Sequence, residues 1–258
     1  MVASQQQPRL RIEMDRNDFK QNFGATGPVI LPVIHVLDSE QAEQNIKTAV
    51  AGGCSGVFLI NHDFEKEKLV PIIKEMRQAF PDIWLGVNFL AVTGKYAFPI
   101  LGELQKNGCK VDGYWADDAR MDERRAEHDQ PEADEIDAIR DSSGWTGLYI
   151  GGTAFKKQRD VDPAQYGKSA RIATNYMDVV VTSGVATGHA ADVSKIDTFR
   201  EHCGDTALGL ASGITPENAA QYADAVDLFM VATGINHDGD FYNIDPERLK
   251  RLMDLTQT

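Results

Sequence analysis

Two short apolar runs near the C-terminal end, ALGLASGIT at 207–215 and DLFMVATGI at 227–235, each close in a turn of small residues. Gly213 and Gly234 carry no Cβ, so backbone N–H groups in these turns can come close to an anion, with the hydroxyls of Ser212 and Thr233 beside them. Thr215 and Pro216 are an N-cap type and a first-turn type, which predicts a helix aiming its positive end at the same point. The chemistry is that of a phosphate cradle. Turns between strand and helix also favour Gly, Ser and Thr where no ligand binds. What favours phosphate is position, because two consecutive junctions, the last in the chain, are where a (β/α)8 barrel builds its phosphate site. Ser183, Gly184 and Thr187, after the preceding strand, would border the same cradle.

A barrel carries its other reactive side chains at the C-terminal ends of its strands, and those positions are polar here. His35 offers an imidazole for acid or base work near neutral pH, or a buried, hydrogen-bonded structural ring. Asn88, inside GVNF, would present an amide to a ligand hydroxyl or carbonyl, or make a turn contact. Asp117 and Asp118 are positions for a carboxylate base or a Mg²⁺ ligand, and neighbours on a strand face opposite ways, so at most one points inward. Lys156 and Lys157 follow GGTAF; Lys156 would pair with a phosphate, form a Schiff base if buried, or simply be solvated. His62 and Asp63, in NHDF, make a weak metal pattern that would need Asp117 or other ligands to become a site. HExxH, GxSxG and the P-loop pattern are absent.

The elements that must position these residues alternate. Apolar runs at about 29–36, 56–60, 83–88, 113–116, 147–151, 177–182, 207–211 and 228–232 read as eight strands, each separated by room for a helix. VILPVIHV and DVVVT are nearly continuous apolar runs, as parallel strands buried on both faces require. An open doubly wound sheet would place GxGxxG after its first strand, where this chain has HVLDSE. The expected fold is therefore a (β/α)8 TIM barrel of the phosphate-binding type, one domain over 1–258. Within it, 1–27 is an N-terminal extension whose MDRNDFKQNF helix crosses the barrel bottom. The charged segment 117–131 reads as a solvated loop or as a lid bringing Arg120, Arg124 or Arg125 to an anionic ligand.

Composition narrows the partners. A net charge of −13 argues against nucleic acid and anionic membranes. The absence of a long apolar run or a signal-like start makes a cytoplasmic protein the expectation. Cys54, Cys109 and Cys203 are far apart, form no CxxC, and read as packing residues. The partner class is a small phosphorylated metabolite, with a homo-oligomer as the expected assembly.

From the sixth strand onward, DVVVTSGVATGHAADVSKIDTFRE and LASGITPENAAQYADAVDLFMVATGINHDGDFYNIDPERLKRLMD resemble the BtpA family and its SgcQ-like relatives. The resemblance implies a phosphate-binding TIM barrel, from a family linked to photosystem I biogenesis and to nucleosidase-like or phosphoribosyltransferase-like activity. His35, the GVN ending at Asn88, and Lys156 fall at family positions. The departures are LDSEQ in place of a PLPGSP turn, Asn61 in place of a glutamate, Ala154 in place of a histidine, and WADDARM in place of an Asn-rich turn. The implied reading is an enzyme with Asp117, His35, Asn88 and Lys156 around the chemistry; the alternative is a non-catalytic ligand sensor or assembly factor that retains the pocket.

Overall fold

The computed structural model describes residues 14–156 and 158–256. Eight strands form its frame: β1 (Val29–Val36), β2 (Gly56–Asn61), β3 (Trp84–Phe89), β4 (Gly113–Ala116), β5 (Leu148–Gly152), β6 (Val179–Ser183), β7 (Ala207–Ala211) and β8 (Leu228–Val231). Each pairs in parallel with its neighbours, and β8 closes on β1. All eight expected strands are present within a residue or two. Helices α2 (Ser39–Ala51), α3 (Lys66–Ala79), α4 (Gly94–Lys106), α5 (Pro131–Ser143), α6 (Tyr166–Thr174), α7 (Val193–Cys203) and α8 (Pro246–Thr256) cover the outside.

Alternation along each strand divides the core in two. Val29, Leu31 and Val33 of β1 fill the barrel interior with Phe58 and Ile60, Trp115, Val179 and Val181, and Met230. The intervening residues, such as Ile30, Ile34, Leu59 and Val180, pack outward against the helices. Continuing the inward parity beyond the last apolar layer brings His35, Asp117 and Ser183 to the C-terminal mouth. The site is thus set by strand register.

The bottom is closed by α1 (Arg16–Asn22), where Asp15 and Asp18 form a reciprocal capping box and fully buried Phe19 joins the interior cluster. This bears out the expected helix; residues 1–13 of the extension lie outside the described residues. An aspartate directly precedes β4, β6 and β8, and each takes an arginine from an earlier helix. Asp112 pairs with Arg77, Asp178 with Arg140, and Asp227 with Arg200. Each carboxylate also accepts the N–H of the second residue of the previous strand, Leu85, Tyr149 or Leu208. The fold thereby repeats a two-strand unit. Asp227, fully buried, gathers Arg16 and Lys20 of α1 as well.

One expected element is replaced. No α-helix follows β7, and only a 3₁₀ turn at Ala219–Tyr222 fills its place. Asn218 ties the stretch to the turn after β7: Oδ1 accepts the Thr215 N–H at 2.9 Å while Nδ2 donates to the Gly213 carbonyl at 2.7 Å. Thr215 still caps the stretch, its Oγ1 accepting the Glu217 N–H, but the turns it opens are 3₁₀ and not α. In place of the α-helix expected to start at Thr215–Pro216, the cradle meets only this short capped turn.

Candidate active site

A cleft open to solvent lies at the C-terminal mouth, and its wall includes His35, Asp117, Lys156, Thr187, Ser212, Gly213, Thr233 and Gly234. Eight sequence-derived candidates from six different strand ends thus meet in one place. Asn88, Ser183 and Gly184 do not line the cleft; they lie beneath or behind its wall. Asn88 is fully buried, and its Nδ2 reaches Asp117 Oδ1 at 3.3 Å, so it orients that carboxylate from below. The parity argument for Asp117 and Asp118 resolves as geometry: Asp117 is 5% exposed and faces the cleft, whereas Asp118 turns away and pairs with Arg120.

One wall is cationic. Lys156 Nζ donates to Ser212 Oγ, and the Lys156 N–H donates to Ser183 Oγ at 2.9 Å. Ser183, fully buried, donates its own hydroxyl hydrogen bond to the Gly184 carbonyl, so it anchors the lysine rather than facing solvent. Behind both, Lys195 Nζ donates to the carbonyls of Ala154 and Ser183, each at 2.7 Å, and lies over the Tyr166 ring. Burial pushes this amine down to about 8. Lys195, within α7, belongs to no motif that marks it in the sequence. Lys157 lies outside the described residues.

The glycines also carry a packing role beyond the one expected from the sequence. A Cβ on Gly234 would overlap the Ile214 carbonyl oxygen, and one on Gly213, at φ +68°, would overlap the backbone at His189–Ala190. Both are needed for backbone-to-backbone packing, which draws the turns after β6, β7 and β8 together. Their amides nonetheless remain available: among the described residues, those of Gly213 and Gly234 donate to no protein acceptor. Non-glycine left-handed residues among the described residues are Ala91, Arg120, Ala154 and Ser212, and all four lie in loops on this same face. Such strain, roughly 1–2 kcal/mol each, is characteristic of functional loops.

The opposite wall is aromatic. Phe241, from the long segment after β8, stacks on His35 with ring centres 3.9 Å apart, and His62 meets both rings edge-on. That segment is pinned: the Tyr242 carbonyl accepts from Gln41 and Asn45, and the Tyr242 hydroxyl donates to Asp63 at 3.0 Å. Burial first, then the neighbouring His62, pushes His35 down to about 4, so the ring is neutral at pH 7. Phe241 is a site residue that no local motif announces.

Two further groups of candidates are placed elsewhere. Arg120, Arg124 and Arg125 pair with Asp118, Asp122 and Asp129 of their own segment, and none lines the cleft. Asp63 is engaged with Tyr242, and among the described residues no three His, Cys, Asp or Glu side chains are grouped to hold a metal ion. The three cysteines are buried and free.

The BtpA family model matches residues 159–258, the stretch that carries β6, β7, β8 and the cradle turns. No curated protein matches the chain. Tryptophan synthase subunit alpha from Legionella pneumophila str. Paris superposes with a TM-score of 0.65 at 14% identity, over 94% of this chain and 98% of that one. Phosphoribosyl anthranilate isomerase from Thermus thermophilus gives 0.55 at 12% identity, over 88% and 97%. At these identities the likeness is one of fold, a (β/α)8 barrel. Among the described residues, no helix is long and apolar enough to cross a membrane.

Proposed function

We propose that this barrel binds a small phosphorylated metabolite, a phosphosugar or nucleotide-like compound, and acts on it as a transferase or hydrolase. The supporting observation is the cationic wall, where the Lys156 ammonium, the Ser212 hydroxyl and the amides of Gly213 and Gly234 share one side of the cleft. Amides and an ammonium together are a phosphate-binding set, and they need no helix dipole to serve as one. Asp117, steadied by Asn88, faces the body of such a ligand. A carboxylate there would stabilise oxocarbenium character in ribosyl transfer or hydrolysis, by analogy with glycoside cleavage. A Mg²⁺ ion arriving with the phosphate would find Asp117 as its protein carboxylate.

A second reading keeps the pocket and drops the reaction. Asn61, where the family resemblance places a glutamate, is committed to the fold: Nδ2 donates to the Phe64 carbonyl and Oδ1 accepts the Leu90 N–H. That supports a sensor or assembly role. A thermal-shift screen of phosphosugars, nucleotides and their unphosphorylated counterparts tests the common premise, since a ligand at about 100 times its Kd adds roughly 2.7 kcal/mol. Stabilisation by unphosphorylated sugars alone would overturn it. With a ligand in hand, Asp117→Asn separates the readings: loss of turnover with binding retained supports the enzyme.

A further inference from the structure

Two polar atoms of the cleft are left over by the phosphate reading. His35 is 7% exposed and Trp115 4% exposed, and both side chains line the cleft. His35 Nδ1 and Trp115 Nε1 are buried without a hydrogen-bond partner. Native interiors rarely leave such atoms unmatched, and a group that meets them recovers what their burial cost. Around them the floor is apolar, with Val33, Ile60 and Met230.

The chemistry of the missing partner follows from the two atoms. An indole N–H only donates, so Trp115 needs an oxygen lone pair. His35 Nδ1 carries a lone pair in one neutral tautomer and a proton in the other. A hydroxyl meets either form, donating to the lone pair or accepting from the N–H, and it also accepts from Trp115. Hydroxyl groups therefore match both buried atoms of this apolar floor whichever ring nitrogen holds the proton. A carboxylate would satisfy Trp115 but would meet Nδ1 only in its protonated form.

We propose that the floor of the cleft, formed by His35 Nδ1 and Trp115 Nε1, is a hydroxyl-recognition subsite, so that the ligand is a phosphorylated polyol bound with its hydroxyl end down and its phosphate at the rim. This rests on the phosphate reading for the ligand's other end and adds its direction and class. Trp115 is a specificity-determining residue in this account.

The test is a ¹H–¹⁵N titration following the Trp115 indole resonance, assigned by its loss in Trp115→Phe. The probes are inorganic phosphate, glycerol 3-phosphate, ribose 5-phosphate and ribose. The phosphorylated polyols should shift the indole signal where phosphate alone does not, and Trp115→Phe should weaken them about 10-fold while leaving phosphate binding unchanged. Ribose shifting the indole with no response to phosphate would keep the subsite and sink the phosphate reading. The proposal is overturned if no polyol moves the indole signal beyond the effect of phosphate, or if Trp115→Phe binds the polyols as tightly as the wild type.

Discussion

Acidification should unfold this protein through His35 before the carboxylates respond. The ring titrates near 6.5 when free and at about 4 in the fold, because burial and the nearby His62 and Lys156 disfavour its charge, against the Phe241 carbonyl and Asp63. Well above pH 6.5 both folded and unfolded chains carry a neutral ring, and His35 contributes nothing to the pH dependence. Between 6.5 and 4 only the unfolded chain takes up the proton, so falling pH favours unfolding. The full loss is about 3 kcal/mol below pH 4, of which about 2 kcal/mol falls between pH 7 and 5. Urea unfolding of the wild type and His35→Gln over that range measures it, since carboxylates common to both proteins cancel in the difference. The gap between the two should change by about 2 kcal/mol, with the wild type losing more. Parallel loss in both proteins would refute the reasoning, because His35 would then be either solvated or protonated in the fold.

Three further outcomes follow from packing. Gly234→Ala forces a methyl against the Ile214 carbonyl, so it should cost about 1–3 kcal/mol and weaken phosphate binding by separating the two turns; a variant of wild-type stability and affinity would contradict this. Asp227→Ala leaves Arg16, Lys20 and Arg200 around an empty buried position, and chemical denaturation should show a loss of about 3–5 kcal/mol. Lys195→Met removes the tie between the Ala154 and Ser183 carbonyls, so ligand affinity should fall by calorimetry although Lys195 is not on the cleft wall.

The strands were legible because a fully buried parallel strand is a nearly pure apolar run, and their order followed from alternation. Parity along β4 even limits the inward-facing carboxylates to at most one of Asp117 and Asp118. Strand ends are local, so His35, Asp117 and Lys156 could be named before their meeting was visible. What was illegible is non-local. Nothing in TPENAAQY shows that the stretch will close as a 3₁₀ turn in place of an α-helix, and nothing near Phe241 places it over His35. The packing role of Gly213 and Gly234 is hidden for the same reason: a glycine records that a Cβ is unwelcome, while its neighbour across the loop says why. The aspartates in VDGYW, MDVVV and VDLFM form a repeat that is readable once strand starts are known.

The central claim is that the turns after β7 and β8, with Lys156, hold a phosphate. Isothermal calorimetry of ribose 5-phosphate and ribose against the wild type and Lys156→Met tests it directly. The account predicts that the phosphate group tightens binding to the wild type at least about 10-fold, and that Lys156→Met removes most of that gain while leaving ribose unaffected. Equal affinity for both sugars in the wild type, or an undiminished gain in the variant, would contradict it.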